Sequence, residues 1–404
     1  MKKNKKKKWL KPRHRVVRNI LNVTLGPVCC IKYRCRIERF KEQEKRPYLI
    51  LFNHQTSFDQ FFVGMAFKRP IYYLATEDIF SNGFVSSLIR FLVEPIPIKK
   101  QTTDIKAILN CMRVSREGGT IALAPEGNRT YSGRTEYINP SIVPLARKLG
   151  VPVVLYRIEG GYGVEPRWGK KPRKGKMHCY VGRVLQPEEY TSMSDDELYR
   201  AICEGLYVDE AVADASYKSS RPAECMERAI YVCEDCGLST FRSHKDIIEC
   251  QKCHKRIRYT ADKRLVGVDA PTKFNFVADW YDYQKDFMNA TDVTAMTNEP
   301  IYSEWSSFSE VIPCQKKIKM AKCASVSLYG NKIVVSYGDT QNEFSFDSVN
   351  AVTVLGRNKL NIYHDGHIYQ LKSSKEFNAL KYVHVFHRYK NIVKGDNGNA
   401  FLGL

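Results

Sequence analysis

The chain has 404 residues, enough for two or three domains of ordinary size. With 43% hydrophobic and 26% charged residues it can build real cores and suits a soluble body. The net charge of +21 is uneven: residues 1–40 hold fourteen Lys or Arg against the single acid Glu38, giving +13 there.

That basic segment begins with Lys2, Lys3 and Lys5 to Lys8 and continues into Trp9, Leu10, Val16, Val17, Ile20, Leu21, Val23, Leu25 and Val28, with Arg13, Arg15 and Arg18 among them. The spacing predicts a helix with one apolar face and an interfacial Trp at its head. The apolar stretch Ile20–Ile31 is too short and too interrupted to span a bilayer, which takes roughly 20 apolar residues. No small-residue cleavage site follows an uninterrupted apolar core, which excludes a secretory signal peptide. Residues 1–35 are therefore expected to lie on a lipid surface as a basic membrane-binding arm, each cation near anionic lipid contributing about 1 kcal/mol. Of thirteen cysteines, four fall in a metal-type pattern, and the rest read as reduced packing residues. The expected location is the cytoplasmic face of a membrane, as a peripheral or monotopic protein.

From Pro47 to Ser220 short apolar runs alternate with amphipathic stretches. Tyr48–Phe52, Ile71–Ala75, Glu94–Ile98, Thr120–Ala124 and Val151–Arg157 read as strands. Phe58–Phe67, Thr76–Phe91, Asp104–Arg116 and Pro140–Leu149 read as helices. A strand at Met177–Leu185 and a helix capped by Ser194 follow. This alternation predicts an α/β layer structure with a largely parallel sheet over residues 36–220. Composition changes at Ser219-Ser-Arg-Pro222. Residues 229–260 form a cysteine module, and 261–312 read as linker or irregular structure. Residues 313–395 read as a β-meander: strands near Ser325–Tyr329, Lys332–Tyr337, Glu343–Phe346, Ala351–Leu355, Leu360–Tyr363 and His367–Leu371 are divided by Gly and Asp turn pairs. A helix at Ser374–Tyr389 closes it, and the pattern resembles a pleckstrin-homology-like fold.

Two short segments carry chemistry. His54 follows an apolar strand and Asp59 lies five residues on, at a predicted helix start. There the carboxylate can turn back onto the imidazole, fix its tautomer and leave the other ring nitrogen as a general base toward an alcohol. Pro125-Glu-Gly-Asn-Arg-Thr130 follows the strand at Thr120, where Gly127 permits an unusual backbone turn. Arg129 offers a fork that suits a phosphate monoester at the carboxyl edge of the sheet.

Together these segments resemble the blocks of the 1-acylglycerol-3-phosphate and glycerol-3-phosphate acyltransferase family. Asn53-His54 through Asp59 matches the family's His-four-residues-Asp block. Pro125-Glu126-Gly127-Asn128-Arg129-Thr130 matches Pro-Glu-Gly-Thr-Arg-Ser with two changes. Lys100 stands where a basic residue, usually Arg, follows an apolar strand, and Val151-Pro152-Val153-Val154 keeps four positions of the last block. The resemblance covers about residues 10–215. It implies a glycerolipid acyltransferase fold and a reaction without a covalent enzyme intermediate. His54, oriented by Asp59, would deprotonate a glycerol hydroxyl that attacks the thioester of acyl-CoA or acyl carrier protein. Lys100 and Arg129 would hold the phosphate of a lysophospholipid acceptor, with Glu126 and Gly127 shaping the same pocket. The implied product from 1-acylglycerol 3-phosphate is phosphatidate.

Cys233-x-x-Cys236 and Cys250-x-x-Cys253 are separated by thirteen residues, the pattern of a zinc ribbon with four thiolates and no open position, hence a structural metal. Iron fits the same ligands. His244 and His254 are expected at the surface. Lys252, His254, Lys255, Arg256 and Arg258 make a basic edge, which suits anionic lipid as well as nucleic acid, and no nucleic-acid partner is expected.

Overall fold

The computed structural model describes residues 8–43, 47–81, 83–98, 104–212, 215–313, 315–374, 376–395 and 401–403, the side chains of 77 and 78 excepted. The chain forms two compact units. Unit 1 holds residues through Thr130, Arg134–Glu165 and Lys174–Glu210; unit 2 holds Tyr131–Gly133, Pro166–Arg173 and the chain from Ala211.

Unit 1 begins with α1 (Pro12–Tyr33), β1 (Cys35–Ile37), β2 (Leu49–Phe52), α2 (Asp59–Ala66), β3 (Ile71–Thr76), α3 (Phe84–Val93), β4 (Ile96–Ile98) and α4 (Ile105–Arg116). It continues with β5 (Thr120–Leu123), α5 (Ile142–Leu149), β6 (Val153–Glu159), α6 (Gly161–Val164), β7 (Met177–Leu185), α7 (Pro187–Thr191) and α8 (Asp195–Leu206). The sheet order is β1-β7-β6-β2-β5-β3-β4. Every neighbouring pair is parallel except β6 with β7. β2 lies near the middle with all four residues buried, as a continuous apolar run does in a sheet covered on both faces. Leu49, Leu51, Ile121, Val153 and Leu155 pack with Val114 of α4, Ile142 and Ala146 of α5, and Leu198 and Ile202 of α8. α8 starts on the expected Ser194 cap, a capping box closed by Glu197. A Cβ at Gly205 would sit 2.2 Å from Leu155, so only glycine lets α8 lie this close to β6.

Two expectations change here. The helix expected over Thr76–Phe91 is interrupted, a 3-10 turn at Glu77–Ser81 giving way to α3 after Gly83, whose φ of +57° does not continue a helix. The basic arm is not a separate element, because α1 belongs to unit 1 and packs against α2 and α3. His14 is buried with Nδ1 2.9 Å from the Tyr72 hydroxyl, and the Trp9 ring N–H donates to the Glu94 carbonyl at 2.9 Å. The opposite face of α1 exposes Val16, Ile20, Val23, Val28 and Ile31. Among the described residues no helix is long and apolar enough to cross a membrane.

Unit 2 contains a two-stranded ribbon, β8 (Val232–Cys233) and β9 (Gly237–Leu238), and an antiparallel sheet of β10 (Phe241–His244), β11 (Ile247–Cys250), β12 (Arg256–Tyr259) and β13 (Leu265–Gly267). Next come α9 (Val277–Ala290), β14 (Tyr302–Ile312), β15 (Lys316–Leu328), β16 (Lys332–Tyr337), β17 (Thr340–Ser345), β18 (Val349–Leu355), β19 (Lys359–His364), β20 (His367–Ser373) and α10 (Leu380–Val393). The last seven strands form one antiparallel sheet in the order β17-β16-β15-β14-β20-β19-β18.

The stretch 261–312, expected to be irregular, instead holds β13, α9 and β14. α9 buries Val277, Trp280, Tyr281, Gln284 and Met288, a helical i, i+3, i+4, i+7 spacing. The cysteine module and the β domain are also not independent, since one hydrophobic core runs through both. The Trp280 ring N–H donates to the Val232 carbonyl at 2.8 Å, and the Tyr231 hydroxyl lies 2.6 Å from Nδ1 of His384 on α10.

Candidate active site

The site forms where β2 and its parallel neighbour β5 end. Leu49 lies opposite Ile121 and Leu51 opposite Leu123, an offset of 72 residues, and the same offset beyond the strand ends brings His54 opposite Glu126. One Glu126 carboxylate oxygen accepts the His54 backbone N–H at 2.8 Å, and the other accepts the Glu136 N–H at 2.8 Å. The Thr130 N–H donates to the His54 carbonyl at 3.2 Å. On the other side of β2, the Asn53 side chain donates to the Ile158 carbonyl at 2.8 Å and accepts its N–H at 2.7 Å. The Asn53 amide thus prolongs the β2–β6 pairing past the last strand residue. Both edges of the turn are therefore fixed.

Asp59 opens α2 and is wholly buried. Its carboxylate accepts the Gln55 N–H at 2.7 Å, the Thr56 N–H at 2.9 Å and the Thr56 hydroxyl at 2.6 Å. One of its oxygens lies 2.8 Å from His54 Nδ1. A carboxylate surrounded by these donors has no proton to give, so Nδ1 carries the hydrogen and Nε2 is left as the acceptor. The His54 side chain keeps 27% of its surface exposed, enough for Nε2 to meet a substrate hydroxyl.

The other expected site residues fall out differently. Gly127 has a φ of +68°, and its N–H closes a turn onto the Ala124 carbonyl at 3.0 Å. The expectation that Glu126 lines the acceptor pocket changes: its carboxylate turns inward onto two backbone amides, and burial raises its pKa well above the usual carboxylate range. Arg129 also turns inward. Its Nε donates to the Gln55 carbonyl at 3.1 Å, and its two terminal nitrogens donate to the Glu165 carboxylate at 3.4 Å and the Glu165 carbonyl. Lys100 lies outside the described residues. Asn53, Ser57, Tyr33 and Glu165 also belong to the site. Asn53 was visible in the motif, but no local pattern marks Glu165.

Residues 33–158 match the family model described as Acyltransferase. This segment spans α1's last residue to the penultimate residue of β6 and contains His54, Asp59, Glu126, Gly127 and Arg129. A search of curated proteins finds no match. Among solved structures, the chain is similar to the 1-acyl-sn-glycerophosphate (LPA) acyltransferase PlsC from Thermotoga maritima. That match has 19% identity and a TM-score of 0.40, covering 49% of this chain and 81% of that one. The N-terminal PH domain of human ARAP2 also matches, with 14% identity and a TM-score of 0.18, over 23% of this chain and 80% of that one.

In unit 2, Cys233, Cys236, Cys250 and Cys253 bring their sulfurs within 4.8 Å of one another, the only such group among the described residues. Cys233 and Cys253 sulfurs are 3.7 Å apart, close to the separation of two thiolates on a tetrahedral ion with Zn–S of about 2.3 Å. Burial pushes the Cys233 thiol up and the neighbouring Cys253 thiol pushes Cys236 up, whereas amides of Cys253 and Lys252 and the Ser239 hydroxyl, 3.1 Å away, bring Cys250 below the ordinary thiol range against its burial. This donor set fits zinc. The neighbouring His254 is exposed and bonds Glu249.

Proposed function

We propose that unit 1 transfers a fatty acyl group from a thioester, acyl-CoA or acyl carrier protein, to the hydroxyl of 1-acylglycerol 3-phosphate, giving phosphatidate. The observation that carries this reading is the buried, fully bonded Asp59 holding Nδ1 of a partly exposed His54 inside an acyltransferase-family segment. Nε2 takes the acceptor's hydroxyl proton as that oxygen attacks the thioester carbonyl. The imidazolium is stabilised by Asp59 and returns the proton to the departing thiolate. No serine nucleophile is required. Lys100, a point charge without bidentate geometry, is the proposed contact to the acceptor's phosphate.

We place the protein on a membrane surface, peripheral or monotopic and cytoplasmic. The support is an exposed apolar face running from Val16, Ile20 and Val23 of α1 to Phe84, Leu88 and Phe91 of α3, two helices that pack together. Arg13 lies over the Phe91 ring at 4.2 Å. Cations beside exposed apolar groups suit anionic lipid. The four cysteines of unit 2 would hold a structural zinc, which ties the two knuckles together and supplies no chemistry to the reaction.

The test is incubation with labelled acyl donor and a panel of vesicle-borne acceptors: lysophosphatidate, glycerol 3-phosphate and other lysolipids. Labelled phosphatidate from lysophosphatidate supports the reading. Product from another acceptor alone would reassign the substrate. No product from any acceptor would leave a membrane-bound scaffold.

A further inference from the structure

Arg129 is the residue from which a phosphate clamp is expected, yet its guanidinium is committed elsewhere. Three of its five N–H groups point at protein oxygens, on Gln55 and Glu165, and its side chain is only 11% exposed. Glu165 is more enclosed still, with a side chain 3% exposed. Its other bonds run to the catalytic turn: the Ser57 hydroxyl donates to it at 2.8 Å, and the Tyr33 hydroxyl donates at 2.7 Å from the end of α1. Gln55 and Ser57 both lie between His54 and Asp59. The pair therefore grips the His54–Asp59 turn at two points and fastens it to α1.

We propose that Arg129 and Glu165 are a positioning pair that sets the His54–Asp59 turn in its working geometry, and that Arg129 does not bind the acceptor's phosphate. A buried Arg–carboxylate pair holds its geometry only when both partners are present, since removing one leaves an uncompensated charge. Loss of either partner then loosens the same turn. The cost appears in the chemical step, where a displacement of about 1 Å can cost about 10²-fold, rather than in acceptor affinity.

The inference rests on the acyltransferase reading, and the experiment separates the two. Full-length Arg129→Lys, Glu165→Gln, the double variant and Ser57→Ala are assayed with lysophosphatidate in phosphatidylcholine vesicles. Hydrolysis of the acyl donor by water, an acceptor without phosphate, is followed in parallel. We expect each charged-pair variant to lose kcat by about 10- to 100-fold with KM changed less than about 3-fold. Donor hydrolysis falls by a similar factor, and the double variant is no worse than the weaker single one. Ser57→Ala, at an exposed position, loses about 3- to 10-fold in kcat at an unchanged melting temperature, which keeps the test open if a charged-pair variant does not fold. A rise of tenfold or more in lysophosphatidate KM for Arg129→Lys, with kcat and donor hydrolysis intact and Glu165→Gln normal, would overturn the proposal. Inactive wild-type protein would instead overturn the acyltransferase reading.

Discussion

At the scale of single residues, the proposed chemistry depends on one hydrogen. Replacing His54 by Ala removes the base, and acyl transfer should fall by about 10²–10⁴-fold while vesicle binding is retained. Asp59→Asn should lose nearly as much with the imidazole still in place. The two backbone N–H groups, the Thr56 hydroxyl and the His54 ring all donate toward this side chain. An amide would turn an N–H toward donors and favour the wrong tautomer. Initial rates of labelled product formation check both, and full activity in His54→Ala would sink the mechanism. The two residues were legible because five positions of chain connect them. Glu126 and Arg129 were legible as a motif but not in their direction, because what they bond, the His54 amide and Glu165, is set by strand register and by a residue 36 positions away.

Unit 2 holds a second residue-scale effect. Burial, partly offset by the Ser243 hydroxyl, moves the Glu227 carboxyl up from 4.5 to about 7. Because the folded value lies above the unfolded one, this group's contribution to stability is complete below about pH 4.5 and is lost as pH rises through about 7. The loss is up to ~3 kcal/mol by linkage. Glu227→Gln should flatten the stability curve of unit 2 between those values, read by denaturant melts at a series of pH values. A curve of unchanged slope would refute the assignment.

At the scale of elements, α1 has two faces with different partners. One face is committed to unit 1 through His14, Trp9 and Tyr33, and the other carries the exposed apolar stripe. Val16, Ile20 and Val23 are 58%, 55% and 76% exposed, so changing all three to Ser should leave the fold intact. Binding to anionic vesicles should weaken by roughly 10–100-fold, at about 1 kcal/mol or less for each side chain. Co-sedimentation measures it, and undiminished binding would move the docking surface elsewhere. The amphipathic period of this helix was readable, but its attachment was not, because His14 and Tyr33 find partners 58 and 132 positions away. The strands of unit 1 from β2 onward were readable for the opposite reason, since central sheet strands such as β2 are continuous apolar runs with abrupt ends, whereas the three residues of β1, Cys-Arg-Ile, carry no such run. In α9 the period was present at Val277, Trp280, Tyr281 and Met288, but Gln284 and the acids Asp279, Asp282 and Asp286 masked it.

At the scale of the whole molecule, the metal should act as a stability element of unit 2. We expect one zinc per chain by elemental analysis, lost in Cys233→Ser. Chelation should lower the melting temperature and free four thiols to titration. Retention of zinc in that variant would refute the ligand set. The sequence suggested a catalytic domain with two modules appended behind it. The chain passes from unit 1 to unit 2 at Tyr131–Gly133 and again at Pro166–Arg173 before leaving for good at Ala211. In the second excursion the Arg173 guanidinium lies 4.9 Å from the Trp168 ring and 4.7 Å from the Tyr259 ring. The Trp168 carbonyl accepts from Arg228 at 2.9 Å.

That small stack sets an order of events during synthesis. Trp168 leaves the ribosome before Arg228 and Tyr259 exist. At ~5–20 residues per second, several seconds pass before Tyr259 is made. During that interval Trp168, fully buried in the finished fold, lacks the Tyr259 ring and the Arg228 guanidinium that meet it there. The nascent protein thus passes through a stage in which its own downstream strands are the missing shelter.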